Sequence, residues 1–184
     1  MKNVYAASAL FLALCSGGAQ ASTSVAAGLA SGSYSQSNTC GSTAQTAFNG
    51  GGWNKCAHGD GWIQVDLGAS MAIGEVSFYT NQSPDGVTAY SVFVSDSAIG
   101  HSWSALSPVA SASNFTVNGT LIDFNFTPAS GRYVEILANG GPSWTAISNV
   151  NVMAAVPEPE TYAMLLAGLG LVGAIARRRK VAQV

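Results

Sequence analysis

Short runs of alternating apolar and polar residues fill the middle of the chain and most restrict its possible folds. In the clearest run, Ile63, Val65 and Leu67 alternate with Trp62, Gln64 and Asp66. A period of two places the apolar side chains on one face of a β-strand. Further runs have the same alternation: Val76/Phe78, Tyr90/Val92/Val94, Ile122/Phe124/Phe126, Val134/Ile136 and Val150/Val152. Helical spacing is absent from this region, so the middle of the chain predicts an all-β domain.

Clusters of turn-forming residues separate these runs. Asn118 and Gly119 stand between two strand-like segments, and both residue types tolerate positive φ, which is typical of a two-residue hairpin turn. The other clusters are residues 50–52, 83–86, 128–131 and 139–142. Many short strands at this spacing predict an antiparallel β-sandwich or jelly roll.

The N-terminal segment, residues 1–21, has the pattern of a secretory signal peptide. Lys2 gives a positive start, residues 4–15 are apolar, and a small-residue stretch ends in Ala-Gln-Ala at 19–21. This order predicts export through the Sec translocon and cleavage after residue 21. Cys15 does not indicate a lipoprotein, because the residue before it is a bulky leucine.

A second targeting pattern occupies residues 156–184. An apolar stretch at 161–176 is shorter than the roughly 20 residues of a full membrane span. An extended, proline-containing break precedes it, made of Val156, Pro157, Glu158 and Pro159. A basic cluster follows it, made of Arg177, Arg178, Arg179 and Lys180. By the positive-inside rule, this cluster stays in the cytoplasm and the preceding domain lies on the outer side.

The order of these three parts resembles the PEP-CTERM sorting signal of Gram-negative bacteria that produce exopolysaccharide. The resemblance covers about residues 156–180, and a permanent tail anchor is the alternative. It implies processing by an exosortase, a membrane cysteine protease, near the Pro-Glu-Pro motif. It also implies that residues 161–176 hold the chain only transiently in the inner membrane. The product would then reach the cell surface or the extracellular matrix.

The predicted domain between the two targeting segments, residues 22–155, carries few charges. Lys55 and Arg132 are its only basic residues, and seven acidic residues oppose them. Binding to a nucleic-acid backbone depends on clustered Lys and Arg. This composition therefore argues against a nucleic-acid partner.

Two cysteines, Cys40 and Cys56, remain once the signal peptide is removed. Outside the cytoplasm such a pair is typical of a disulfide, which stabilises a fold with a short loop by roughly 3 kcal/mol. A metal site would instead recruit His58, but the spacing fits no standard zinc pattern. We expect the disulfide.

Another set of motifs resembles the discoidin (coagulation factor type C) domain family. It begins with the turn at 47–50, Trp53 and the sequence Gly-Trp-Ile-Gln-Val-Asp-Leu-Gly at 61–68. Later motifs follow in the family's order at residues 73–76, 90–96, 103, 131–136 and 147–152. The resemblance spans about residues 26–153 and implies a galactose-binding-like jelly roll of about eight antiparallel strands. It gives Trp53 and Trp62 structural positions and places Trp103 in the core.

Sugar-binding members of this family often hold a structural calcium ion near the first turn and the last strand. Here Asn49 and Asn149 stand where acidic residues are usual, although calcium prefers carboxylate and carbonyl oxygens. Backbone carbonyls near Phe48 and Gly50 remain available as ligands. We expect no cofactor, and calcium at these four residues is the alternative.

The resemblance also implies that a ligand meets loops at one end of the sandwich. Sugar recognition needs flat aromatic faces and a few fixed polar groups. Eight candidates in three loops offer them: Trp53, Asn54, Lys55, His58, Asp60, Asn81, Gln82 and Trp144. For each of them a purely structural role is the alternative.

No catalytic arrangement stands out in the sequence. Its two histidines, His58 and His101, belong to neither a nucleophile elbow nor a zinc-protease helix. Asp60 and Asp66 are the nearest acidic pair for glycoside hydrolysis, but Asp66 belongs to the strand motif at 61–68. The two resemblances together imply an exported, non-catalytic protein that binds polysaccharide. A structural or adhesive matrix protein without a specific ligand is the alternative, and a glycoside hydrolase is a weaker one.

Overall fold

The computed structural model describes residues 23–100, 103–139, 141, 143–155 and 164–173. Most of the described chain consists of β-strands joined by short connections. The strands are β1 (Tyr34–Gln36), β2 (Gly52–Asn54), β3 (Gly61–Thr80), β4 (Gly86–Ser95), β5 (Ala110–Thr116), β6 (Leu121–Asn139) and β7 (Ala146–Ala154). A short helix, α1 (Ala44–Phe48), and two 3₁₀ turns, Ser31–Ser33 and Trp103–Ala105, complete the domain.

The C-terminal targeting region is described only in part. Residues 164–173 are helical and exposed, and they belong to the apolar stretch predicted at 161–176. Within the described ranges, no helix is long and apolar enough to cross a membrane. The predicted signal peptide, the motif at 156–159 and the basic cluster at 177–180 lie outside the described residues.

The strands form one curled antiparallel sheet, in which β3 and β6 each take part twice. The first half of β3 pairs with β1 and with the second half of β6, and β4 and β5 follow in order. The second half of β3 pairs with the first half of β6 and with β7, and β2 lies beyond β7. Two layers result, which confirms the predicted antiparallel jelly roll. The described strands number seven rather than about eight because β3 and β6 each run through both layers.

The two long strands bend together where they pass from one layer to the other. At this bend, residues 67–70 of β3 stand opposite Arg132 alone. Gly131 allows the close approach on the β6 side, since a Cβ atom there would lie 2.6 Å from Val94 Cγ1 and 2.7 Å from the Ser95 nitrogen. The bend lies at the far end of both layers from the points where β3 begins and ends.

An ion pair holds this bend. Asp66 accepts hydrogen bonds from Nε and Nη2 of Arg132 at 2.6 and 2.7 Å, and from the N–H of Gly68 at 2.8 Å. Gly68 has a φ of +81°, a conformation that favours glycine. The hydrogen bond from Arg132 is the largest reason why the pKa of Asp66 falls to about 2. Asp66 is therefore a structural residue, as its place in the strand motif predicted.

The predicted apolar faces meet between the two layers. Phe78 packs against Tyr90 and Phe124, with ring centroids 5.1 and 6.3 Å apart. Burying one such large side chain contributes about 1.5–3 kcal/mol. The most deeply buried members of the predicted faces are Ile63, Val65, Val76, Phe78, Val92, Val134, Ile136, Val150 and Val152. The alternation in the sequence thus identified most of the core.

The short helix α1 adds to this core and was not predicted. Ala44, Ala47 and Phe48 are buried, and the Thr43 hydroxyl oxygen accepts a hydrogen bond from the N–H of Thr46 at 3.4 Å. Five residues are too few for an apolar repeat, so periodicity could not find this helix. The N-cap threonine is the remaining signal.

The two ends of the domain meet at the end of the sandwich that carries the bend. The N–H of Val25 donates to the carbonyl oxygen of Val152 at 2.9 Å, and the Ser24 hydroxyl accepts from the N–H of Val152 at 3.0 Å. The N–H of Ala155 donates to the carbonyl oxygen of Ala72, directly after the bend, at 2.8 Å.

A second buried cluster lies on the outer face of β3 and β6. Gln64 donates to the Glu135 carboxylate at 3.2 Å and accepts from the N–H of Ile99 at 3.0 Å. Trp103 Nε1 donates to the same carboxylate at 2.6 Å. These bonds fasten the connection after β4 to the sheet. Trp103 is half-buried beside Glu135, so the prediction that it fills the core was wrong.

Burial raises the pKa of Glu135 to about 7, although hydrogen bonds from Trp103 and Gln64 lower it. A carboxyl group whose pKa is raised by folding stabilises the native state fully below about pH 4.5 and loses this effect as the pH rises through 7. We expect the unfolding free energy of the protein to fall by roughly 3 kcal/mol across this window, relative to Glu135→Gln. Urea unfolding at a series of pH values measures the difference. The exposed Asp123→Asn variant is the control and should keep the original profile, whereas identical profiles for Glu135→Gln and the unsubstituted protein would refute the assignment.

Candidate functional site

The strand register brings the candidate loops to one end of the sandwich. Gly61, where β3 begins, pairs with Ala138, and Thr80, where β3 ends, pairs with Ile147. The connections β2–β3, β3–β4 and β6–β7 therefore leave the sheet on the same side. We call this region, with residues 55–60, 81–85, 141 and 143–145, the loop end.

A disulfide ties the first of these connections to the segment before α1. Cys40 and Cys56 are bonded, and their Cα atoms lie 5.8 Å apart, within the usual range. The side-chain oxygen of Asn54 accepts a hydrogen bond from the N–H of Cys56 at 2.6 Å. The predicted disulfide is thus present, and it leaves no free thiolate for a metal site with His58.

Lys55 holds the rest of the β2–β3 connection together. Its ammonium group donates to the carbonyl oxygens of His58 and Asp60 at 3.0 and 2.6 Å. The N–H of Lys55 donates to the carbonyl oxygen of Thr145 at 2.9 Å, and the Thr145 hydroxyl donates to that of Gly59 at 2.7 Å. Lys55 therefore positions the loop, and its charged ammonium group is hydrogen-bonded to backbone carbonyl oxygens within the loop.

Two of the sequence candidates are buried. Trp53 is 1% exposed and belongs to the core, so its ring has no face open to a ligand. Gln82 is 4% exposed, and its oxygen accepts from the hydroxyls of Thr88 and Thr116 at 2.9 and 2.6 Å. Its amide nitrogen donates to the carbonyl oxygen of Gly86 at 3.3 Å. These two buried residues support the loop end from the interior. They no longer belong to the candidate ligand-binding residues.

Trp144 offers the flat aromatic surface that the sequence candidates were chosen to supply. It is 51% exposed and lines a small depression together with Thr88, Ser143 and Thr145. The Ser143 hydroxyl accepts from the N–H of Ser83 at 3.1 Å and donates to its carbonyl oxygen at 2.6 Å. This pair joins the β3–β4 and β6–β7 connections and holds Trp144 on a fixed support.

Polar candidates are exposed at the same end. His58, Asp60 and Asn81 are exposed, and Asn54 is half-buried. Asn139 begins the third candidate loop but was not among the eight predicted residues, and its side-chain amide donates to the Asp60 carboxylate at 2.5 Å. Only its place at the end of β6, in a turn cluster, could have indicated it. The loop end thus combines one aromatic face with fixed donors and acceptors.

The predicted calcium residues lie before β2 and beside it: Phe48 ends α1, Asn49 and Gly50 form the turn that follows, and Asn149 lies in β7. Asn49 accepts from the N–H of Gly28 at 2.7 Å and donates to the carbonyl oxygen of Gln45 at 2.7 Å. Asn149 has a φ of +50°. In the described part of the chain, no group of three or more His, Cys, Asp or Glu residues could hold a metal ion. Calcium at Phe48, Asn49, Gly50 and Asn149 stays a prediction.

The acidic pair considered for glycoside hydrolysis does not come together. Asp60 lies at the loop end, and Asp66 lies at the bend in its ion pair with Arg132. They are six positions apart in the sequence, about 20 Å along a strand. Two carboxylates that cleave a glycosidic bond lie within roughly 10 Å of each other, so this pair cannot act as one.

These features define a galactose-binding-like β-sandwich with a loop-end site. A family model for the F5/8 type C domain matches residues 20–151, and the chain belongs to this family. A second model, the PEP-CTERM protein-sorting motif, matches residues 155–180. Both resemblances found in the sequence are confirmed. Among curated protein sequences, none matches the chain.

Several solved structures share this fold. The CBM32 of AlyQ in complex with 4,5-unsaturated mannuronic acid is 22% identical, with a TM-score of 0.53 over 66% of this chain and 94% of that one. A lectin-binding-domain mutant of Lectinolysin complexed with Lewis b is 20% identical, with a TM-score of 0.54 over 72% and 96%. The family 32 CBM from C. perfringens NanJ in complex with galactose is 18% identical, with a TM-score of 0.53 over 65% and 90%. At these identities the likeness establishes the fold.

The role of Lys55 can be tested by local hydrogen exchange. Lys55→Met keeps the aliphatic stem and removes the two hydrogen bonds of the ammonium group. We expect the amides of residues 56–60 to exchange about tenfold faster, because hydrogen bonds to charged groups contribute roughly 1.5–3 kcal/mol each. His58→Met is the matched control, since Lys55 binds the backbone at that position. Unchanged exchange in Lys55→Met would show that the ammonium group does not position the loop.

Proposed function

We propose that this chain is an exported, non-catalytic protein that binds polysaccharide at its loop end. The observation that carries the proposal is that the exposed Trp144 ring and exposed polar groups share one end of the sandwich, on connections that hydrogen bonds hold together. Membership of the F5/8 type C family is consistent with such a site. Three solved neighbours of the same fold contain a uronic acid, Lewis b and galactose, which supports carbohydrate as the ligand class.

The chemistry of the loop end suits a sugar ring. The apolar face of a pyranose stacks on an indole such as that of Trp144, which buries apolar area without a large loss of side-chain entropy. The hydroxyl groups at the ring edge need both donors and acceptors. The Asp60 carboxylate accepts, and the amides of Asn81 and Asn139 and the imidazole of His58 can do both.

The charges of the loop end favour an uncharged glycan. Among the described residues of the loop end, Lys55 is the basic side chain. Its ammonium group already donates hydrogen bonds to two backbone carbonyl oxygens. Asp60 and Asp85 are exposed acidic residues on two of the connections. Arg132 lies at the bend, far from this site. A polyuronate would meet negative charge without a free cation, so we expect neutral polysaccharides to bind more tightly than acidic ones.

The C-terminal motif supports the proposed route and location. A PEP-CTERM match at residues 155–180 fits processing by an exosortase after Sec-dependent export. Delivery to the cell surface or to an exopolysaccharide matrix of a Gram-negative bacterium would bring the loop end to its ligand. Residues 161–176 would then anchor the chain in the inner membrane only until cleavage.

Replacement of Trp144 tests the binding site. We expect Trp144→Ala to weaken binding to neutral polysaccharide at least tenfold, about 1.4 kcal/mol, because the stacking surface is lost. A glycan array identifies a neutral polysaccharide that binds, and titration calorimetry compares the variants on it. Tyr133→Leu is the aromatic control at the bend, beside Arg132, and should bind normally. If no glycan on the array binds the unsubstituted protein, the structural or adhesive alternative replaces this proposal.

Mass spectrometry of the protein from its producing cells tests the route. We expect a product that begins near Ser22 and ends between Val156 and Pro159, because both targeting segments are removed. The Cys40–Cys56 bridge should be intact in this product. A mature product that retains residues 177–180 would mean a permanent anchor and would contradict sorting by an exosortase.

A further inference from the structure

The strand β5 forms an open edge of its layer. It pairs with β4 over seven residues, from Thr116 opposite Gly86 to Ala110 opposite Val92. In the described structure no strand pairs with its other side. Unpaired backbone N–H and C=O groups along such an edge are a template for another strand.

This edge lacks the usual protection against pairing. Its sequence, Ala-Ser-Ala-Ser-Asn-Phe-Thr, contains no charged residue and no proline, and its register with β4 is continuous. The other described edges differ. β1 and β2 have three residues each, and the outer half of β6 carries Asp123 and Pro128. Short strands, charges and prolines are the features that keep natural edges apart, so β5 is the long unprotected edge of the described domain.

An apolar pair accompanies the open edge. Val87 and Phe115 stand directly opposite each other on β4 and β5, and they are 56% and 66% exposed. Val117, just beyond β5, is exposed as well. A cross-strand apolar pair on an outer sheet face gains from being covered.

We propose that β5 pairs with the β5 strand of a second copy of this chain. An antiparallel pair related by a two-fold axis at Ser113 joins all seven residues and sets Phe115 beside Ser111 of the second copy. No like charges meet across this contact because β5 carries none. The same edge meets itself, which closes the assembly at two copies. The five-stranded layers of the two copies become one continuous sheet of ten strands.

The size of the contact sets its strength. A single seven-residue strand pair buries less than the roughly 1,600 Å² of a standard stable interface. The dimer is therefore concentration-dependent. The pairing does not rest on what the loop end binds, since β5 contributes no residue to the candidate site.

Sedimentation of the full chain in a mild detergent tests the proposal. Over a hundredfold range of concentration, the unsubstituted protein shifts from monomer to dimer. Ser113→Lys stays monomeric, because two ammonium groups would meet at the two-fold axis. Ser111→Lys is a second variant of the edge with the same expected loss. Ser70→Lys, at an exposed position on the bend, is the matched control and dimerises normally.

Hydrogen exchange locates the contact. Amides of residues 110–116 that face outward exchange at least tenfold more slowly at high concentration than at low concentration, and this protection is lost in Ser113→Lys. A protein that stays monomeric at every concentration overturns the proposal. A dimer that persists in both edge variants, or that Ser70→Lys also abolishes, overturns it too, because the contact then lies elsewhere, as on the C-terminal helix.

Discussion

β3 and β6 stay paired from Gly61 opposite Ala138 to Tyr79 opposite Leu121, and both strands turn from one layer to the other at the same place. Because the two strands bend together, their pairing is interrupted over only a few residues. The same β3–β6 pair therefore sets the strand register in both layers. β1, β4, β5, β7 and β2 then add to this pair on one side or the other. The Asp66–Arg132 ion pair sits at the bend, at the first of the two places where the pairing of β3 with β6 is interrupted. Every loop at the opposite end depends on this shared register for its position.

How far the sequence predicts the structure differs between the layers and the loops. The alternation assigned residues such as Ile63, Val76 and Ile136 to the core correctly. A strand has only two faces, and one of them must be buried away from water. The alternation could not show that the outer face of β3 is covered as well. On that face Gln64 donates to the carbonyl oxygen of Ile99, and Trp103 donates to Glu135. Local pattern does not reveal the path of a long connection such as the one after β4.

The candidate site was predicted in its location and only partly in its members. Turn clusters and the family resemblance named three connections that the structure brings to one end of the sandwich. Trp53 and Gln82 proved to be buried, because a loop residue can point inward, and only packing decides its direction. The Cys40–Cys56 bridge joins the segment before α1 to the β2–β3 connection, two segments that no strand pairing connects directly. A reducing cytoplasm disfavours such a bridge, so its presence is consistent with the proposed export.

The hydrogen bond from Ala155 to Ala72 shows where the chain leaves the sandwich. β7 starts at the loop end and finishes beside the bend, so the C-terminal segment departs from the face opposite Trp144. A membrane or surface that held the chain directly at Ala155 would lie at this end of the domain and would leave the loop end uncovered. The direction of the last strand alone thus separates the end of the domain where the chain continues from the candidate binding site by the length of the sandwich.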